Sequence, residues 1–79
     1  MSQKIRHNAT LGDNIRNLRL KLNLTQEQVV AKLQLRGLDT SRSSYSQIES
    51  GTYNIKVSEL VALKTIFRCS FDDFFLNIF

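Results

Sequence analysis

Apolar residues recur along this chain at helical spacing, and a hydroxyl or amide side chain punctuates the start or end of each run. Leu11, Ile15, Leu18 and Leu22 follow one another at intervals of 4, 3 and 4, which puts them on one stripe of a helix running from Leu11 to Leu22. Thr10 stands where an N-cap hydroxyl belongs. Asn23 takes the stop, because asparagine tolerates a left-handed backbone best after glycine. A second run opens at Thr25, where Thr25-x-x-Gln28 has the spacing of a capping box. Val29, Val30 and Leu33 form its inward face, Leu35 adds a further turn and Gly37 ends it.

The third run is different in kind. A cap at Thr40 or Ser41 and a glycine at Gly51 bracket a short helix over residues 41–50, in which only Tyr45 and Ile48 are large and apolar. Arg42, Ser43, Ser46, Gln47 and Ser50 line its other side. Ordinary solvated helix faces carry alternating Glu and Lys pairs, whereas this one carries hydrogen-bonding side chains and a single charge. It is a surface built to read hydrogen-bonding groups.

The loop Thr52 to Val57 follows, and Ser58 is expected to cap a fourth helix with Leu60, Val61, Leu63, Ile66 and Phe67 on a broad apolar face. Ser70 caps a last helix from Phe71 to about Ile78, with Asp72 and Asp73 in its first turn, where the helix dipole favours them. Phe71, Phe74 and Phe75 are expected to plug the core. Ile78 and Phe79 exceed what one small helix can bury and are expected to meet a partner. Cys69 reads as a small buried hydrophobe. The fold expected is therefore all-α with five helices over residues 10–79, preceded by a flexible arm, residues 1–9, that carries Lys4, Arg6 and His7.

Composition narrows the classes. A chain of 79 residues buries only roughly 60–65% of its unfolded surface. Its single cysteine forms no internal disulfide, and no Cys/His cluster offers metal-ligand spacing, so helix packing carries the stability and neither metal nor cofactor is expected. No apolar run approaches the roughly 18–20 residues of a membrane span and the first ten residues lack a signal-peptide core, so a soluble, cytoplasmic protein is expected. One histidine in the arm, no glycine-rich phosphate loop and no nucleophile beside a base leave catalysis without material; no catalytic residue is assigned. The net charge is +4. All the bases precede Ser70, whereas Asp72 and Asp73 follow it, so a basic body for a polyanion adjoins an acidic, apolar end for a protein contact.

The run of residues Ile15-Arg16-Asn17-Leu18-Arg19, Leu24-Thr25-Gln26-Glu27-Gln28, Ser41-Arg42-Ser43-Ser44, Gln47-Ile48-Glu49-Ser50-Gly51 and Glu59-Leu60-Val61-Ala62-Leu63 resembles the phage-repressor-like family, the Cro and lambda-repressor type or XRE family. The resemblance spans roughly four fifths of the chain, far more than a single short motif. It implies a lambda-repressor-like domain whose second and third helices form a helix-turn-helix. It also implies that Arg19 pairs with Glu49, tying the first helix to the end of the third, and that Gln26 contacts a DNA phosphate. The chain departs from the family where Val30 replaces a small alanine and where about five residues, Leu35 to Asp39, lengthen the turn; the two helices are then splayed or the second is longer. Arg36, within that insertion, either reaches the DNA backbone or solvates the turn. The loop after Gly51 holds only Lys56 where relatives often hold several bases, which implies a weaker electrostatic clamp.

From the residues themselves, Arg42 can pair in bidentate fashion with guanine, Ser43 can donate or accept, and Gln47 one turn on can pair with adenine. These are the base-contacting positions of the family. Ser41, Ser44 and Ser50 suit phosphate oxygens, as do Gln26 and Lys56 by resemblance, and Ser46 lies between base and solvent. One helix reads only a few base pairs, so a homodimer on a pseudo-palindromic operator is expected. The expected function is a sequence-specific, repressor-like transcriptional regulator of double-stranded DNA. The rival reading is a protein-interaction or antitoxin-like module that uses the aromatic C-terminal helix, residues 71–79.

Overall fold

The computed structural model describes residues 10–78. Within them lie five helices and no strand: α1 (Leu11–Lys21), α2 (Gln26–Leu35), α3 (Arg42–Ser50), α4 (Val57–Phe67) and α5 (Phe71–Phe74). The expected arm, residues 1–9, and Phe79 lie outside the described residues. Among the described residues no helix is long and apolar enough to cross a membrane, and no cluster of His, Cys, Asp or Glu could hold a metal ion.

Each helix begins where its side chains can satisfy free backbone N–H groups. Thr10 and Asp13 form a reciprocal capping box at α1, and Thr25 with Gln28 forms another at α2. At α3 the cap is Ser41, whose Oγ accepts from the Ser44 N–H at 3.0 Å. Thr40, the other candidate, is buried, and its hydroxyl donates to Glu59 Oε2. Asn23 (φ 56°), Gly37 (φ 86°) and Gly51 (φ 85°) adopt the left-handed backbone expected of stops. Arg68 (φ 55°) does the same at the end of α4, a position the residue type did not betray.

The core is Ile15, Val29, Val30, Leu33, Tyr45, Ile48, Ala62, Leu63, Phe67 and Phe74. α1 packs on α3 and α5, and α2 packs between α3 and α4. Val30 is accommodated in this core, and α2 runs on to Leu35 before the connection 36–41.

Several expectations give way to the packing. Leu22 is not on the buried stripe of α1; it is the C-cap and is exposed, because the inward side is taken by Gly12, Asn14 and Arg19 as well as Ile15. Ser58 does not cap α4. The helix starts two residues earlier, and the Glu59 carboxylate reaches back to the Lys56 N–H at 2.9 Å, leaving Ser58 exposed inside the first turn. Val61 is 48% exposed and so lies outside the apolar face that Leu63 and Phe67 bury. The last helix is a single turn, not a helix to Ile78, because the chain turns at residues 75–77 with Asn77 left-handed. Of the three phenylalanines only Phe74 reaches the core; Phe71 and Phe75 are exposed. Asn14 secures the turn that follows, since its Nδ2 donates to the Phe74 and Leu76 carbonyls at 2.8 and 2.9 Å and so satisfies two carbonyls that a continuing helix would have paired along its axis. Cys69 is half-buried against the core, and burial pushes its thiol pKa up.

Tyr45 props α3 from behind with a fully buried ring. Its hydroxyl is buried beside the Arg19–Glu49 pair, and burial, with the neighbouring Glu49 carboxylate, pushes its pKa up. Tyr45→Phe is expected to change stability by no more than about 1 kcal/mol, since the ring is kept and the hydroxyl has no close hydrogen-bond partner among the described residues. Loss of more than that in a calorimetric scan would give the hydroxyl a structural role.

Candidate nucleic-acid interface

α3 divides cleanly into two sides. Tyr45, Ile48 and Glu49 are buried, whereas Arg42, Ser43, Ser46, Gln47 and Ser50 are exposed. The division follows from sequence: two large apolar residues three apart can anchor only one stripe of a nine-residue helix, and every other position is small or polar. Arg42, Ser43 and Gln47 thus share one outward ridge. The first turn of α3 carries no acid, so the partial positive charge of its N-terminus is left for an external anion.

Behind the ridge is a buried ion pair. Arg19 Nε donates to Glu49 Oε2 at 2.7 Å and Nη2 to Oε1 at 3.0 Å, while Nη1 donates to the Leu24 carbonyl at 2.8 Å. Both side chains are almost wholly buried, at 10% and 4% exposure. The hydrogen bond to Glu49 raises the Arg19 pKa. Burial alone would push the Glu49 carboxyl up, but the hydrogen bonds from Arg19, the neighbouring Tyr45 hydroxyl and the hydrogen bond from Gln26 outweigh it and hold the carboxyl below the usual carboxylate range. The pairing implied by resemblance is therefore present, and it fastens α1 to the end of α3.

Gln26 extends this pair to the ridge. Its Nε2 donates to Glu49 Oε1 at 3.0 Å, and its Oε1 accepts from Arg42 Nε at 3.1 Å. The half-buried glutamine at the start of α2 thus joins the buried carboxylate to the exposed arginine, with both ends of its amide engaged inside the chain. Glu27 is the residue that sequence reading missed here. Its carboxylate lies 4.0 Å from Arg42 Nη1, and with both groups exposed the pair adds little stability, but it competes with any anion for the arginine. The helical register of Gln26 and Glu27 at the opening of α2 was the available signal.

The remaining candidates fall in different places. Ser41 and Ser44 sit together at the start of α3, linked Oγ to Oγ at 3.1 Å. Ser50 is at the other end, where its Oγ donates to the Gln47 carbonyl at 3.1 Å and meets Thr52 Oγ1 at the same distance. Lys56 is exposed at the cap of α4, beyond the loop and off the α3 ridge in sequence. Arg36 is not beside the ridge residues; it lies at the far end of α2 among side chains of α4.

The described architecture has counterparts among known proteins. A family model described as Helix-turn-helix matches residues 15–74. Among solved structures, the high-resolution crystal structure of the restriction-modification controller protein C.AhdI from Aeromonas hydrophila is similar with a TM-score of 0.69 and 28% sequence identity, covering 82% of this chain and 91% of that one. No curated protein matches the chain.

Proposed function

This chain belongs to the helix-turn-helix family and is a DNA-binding regulator; from that premise we propose that it enters the major groove of double-stranded DNA with α3 and reads base edges through Arg42, Ser43 and Gln47. The observation that carries this reading is the two-sided character of α3: a polar ridge wholly exposed, backed by a buried tyrosine, isoleucine and ion pair that hold it rigid. Arg42 meets a guanine, Gln47 an adenine and Ser43 either neighbour. Ser41 and Ser44 at one end of the helix, Ser50 at the other, Lys56 at the cap of α4 and Gln26 at the start of α2 take phosphates and set the register. Gln26 does so only by exchanging one of its present partners.

The likeness to a restriction-modification controller protein supports a regulatory role. The rival, a protein-interaction module built on an aromatic C-terminal helix, is weakened because α5 is a single turn and not a helix over residues 71–79. The same exposed apolar surface at Phe71 and Phe75, continued by half-buried Ile78, supports instead a second copy of this chain. A homodimer then reads a pseudo-palindromic operator with half-sites one helical turn apart.

Arg42→Ala and Gln47→Ala are the test. Each is expected to weaken binding to a selected duplex by about 1–3 kcal/mol and to relax the preference at one base position, with helicity unchanged by circular dichroism. Selection of bound sites from random duplex DNA is expected to return two related half-sites. Substitutions that leave the selected sequence unaltered, or an affinity that ignores salt concentration, would refute the reading.

A further inference from the structure

Sequence left the lengthened turn without a use, and the structure gives it surroundings. A groove of about 420 Å³ runs between the C-terminal ends of α2 and α4, lined by Lys32, Leu35, Arg36, Thr65, Ile66 and Arg68. At Arg36 and Thr65 it meets a second groove of about 400 Å³, to which Leu38 and Val61 contribute an apolar floor. One wall of this joined groove is the turn itself: Arg36 and Leu38 belong to the connection 36–41. No acid lines either part. Among the described residues no carboxylate comes within ion-pairing distance of Lys32, Arg36 or Arg68.

Leu35 is the most exposed large apolar residue of the described chain, at 87%, and it stands between two of these cations. An isolated exposed leucine calls for no explanation, but here Val61 is 48% exposed as well, and the two line adjacent grooves that share Arg36 and Thr65. We propose that this joined groove docks an acidic segment of another protein, one that carries an apolar side chain for Leu35 and Val61 between carboxylates for Lys32, Arg36 and Arg68.

Charge complementarity chooses the sign of the partner, and the apolar floor chooses its class. A DNA backbone offers phosphates but nothing to cover a leucine and a valine, whereas a peptide offers both. The groove is also separate from the reading ridge. Gln26 and Arg36 stand at opposite ends of α2, roughly 15 Å apart at the helical rise, and no residue of α3 lines either part. The volume suits a few side chains of one short segment. A regulator that holds DNA with one end of α2 thereby presents a basic, apolar groove at the other.

The full chain is titrated by nuclear magnetic resonance with a short peptide in which glutamates flank a leucine, with the same peptide carrying serine for the leucine, and with duplex DNA. The leucine peptide is expected to shift the amides of residues 32–38 and 61–68 and to leave those of α3 in place. Lys32→Glu with Arg36→Glu is expected to weaken that binding by at least about tenfold, since both changes set like charges across the contact. Leu35→Ser, or serine in the peptide, is expected to weaken it several-fold. Leu35→Ser is expected to bind duplex DNA as the wild type does, and the charge reversal, which takes the net charge from +4 to zero, is expected to weaken DNA binding less than it weakens peptide binding. Shifts confined to α3, equal binding of the serine peptide, no binding by the folded chain, or a charge reversal that weakens DNA binding in step would each overturn the proposal; the last would make the groove a phosphate clamp. Because DNA binding is scored separately, failure here is distinct from failure of the reading by α3.

Discussion

Glu49→Ala is expected to cost the domain a large part of its stability. The Arg19 guanidinium is buried and holds two hydrogen bonds to that carboxylate. Removing the carboxylate strands a buried cation, a change that costs about 3–5 kcal/mol, whereas replacing both partners by apolar groups of similar size is often close to neutral. A domain of this size has roughly 4–12 kcal/mol in total. The loss therefore consumes a large part of the available stability. Glu49→Gln keeps the shape and one acceptor and is expected to lose less, and Glu49→Ala with Arg19→Met is expected to recover part of the loss. Urea unfolding of the three variants decides the matter. A single Glu49→Ala substitution that costs under about 1 kcal/mol would mean that the pair is not what fastens α1 to α3.

The same pair sets an acid limit. The folded Glu49 pKa lies below its unfolded value, so the unfolded state binds the proton more readily. The stabilisation is fully present above the unfolded pKa of about 4.3, declines below it, and is gone once pH has fallen through the folded value. Glu49→Gln should lack this component of acid unfolding. The loss of the carboxylate also releases Gln26, so Arg42 loses its anchor and DNA binding should fall even in the fraction that stays folded.

Gly12→Ala is expected to be the most damaging of the conservative changes. A methyl group at that position would lie 2.4 Å from the Glu49 carbonyl oxygen and 2.6 Å from that of Ile48. Both are backbone atoms of the last turn of α3, so neither can swing aside as a long side chain would. Alanine is the better helix former by about 1 kcal/mol, and this gain opposes the clash. Overpacking of this kind costs typically about 1–3 kcal/mol and more where backbone is involved, so the clash wins. α1 and α3 must then separate, which stretches the Arg19–Glu49 bonds and tilts the ridge. The expected results are a thermal midpoint lower by about 4–8 °C per kcal/mol lost and a DNA affinity that falls further than stability alone explains. A Gly12→Ala protein as stable as the wild type would show that the approach of the two helices is not close.

Much of this architecture could be read from residue order. The helix starts were legible because Thr10, Thr25, Ser41 and Ser70 are small capping side chains at the right offset from a polar partner or an apolar run. The ridge was legible because so few residues of α3 could face inward. The misses share a cause. Ser58 and Val61 were assigned by residue type, but the cap of α4 is supplied by a buried glutamate that also accepts from Thr40, a contact across nineteen positions that no local pattern encodes. The length of the last helix failed similarly, since Asn14, sixty residues away in sequence, secures the turn that follows it. Gly12 was a signal left unread: a glycine inside a helix is unfavourable unless another backbone comes close. Gln26 was assigned to a phosphate by resemblance, and its bridge from Glu49 to Arg42 depends on the crossing of α2 and α3, which sequence does not fix.

The bond from Thr40 to Glu59 has one more consequence. The connection 36–41 is exposed at Arg36, Gly37 and Asp39, but Leu38 packs on the core and its end is moored to the opening of α4, just before α3 begins. Lengthening or shortening the chain upstream of that mooring alters the contour of the turn without rotating the helix that follows. A lineage of such proteins can therefore remodel the outer wall for new companions while the address it recognises on the double helix stays the same.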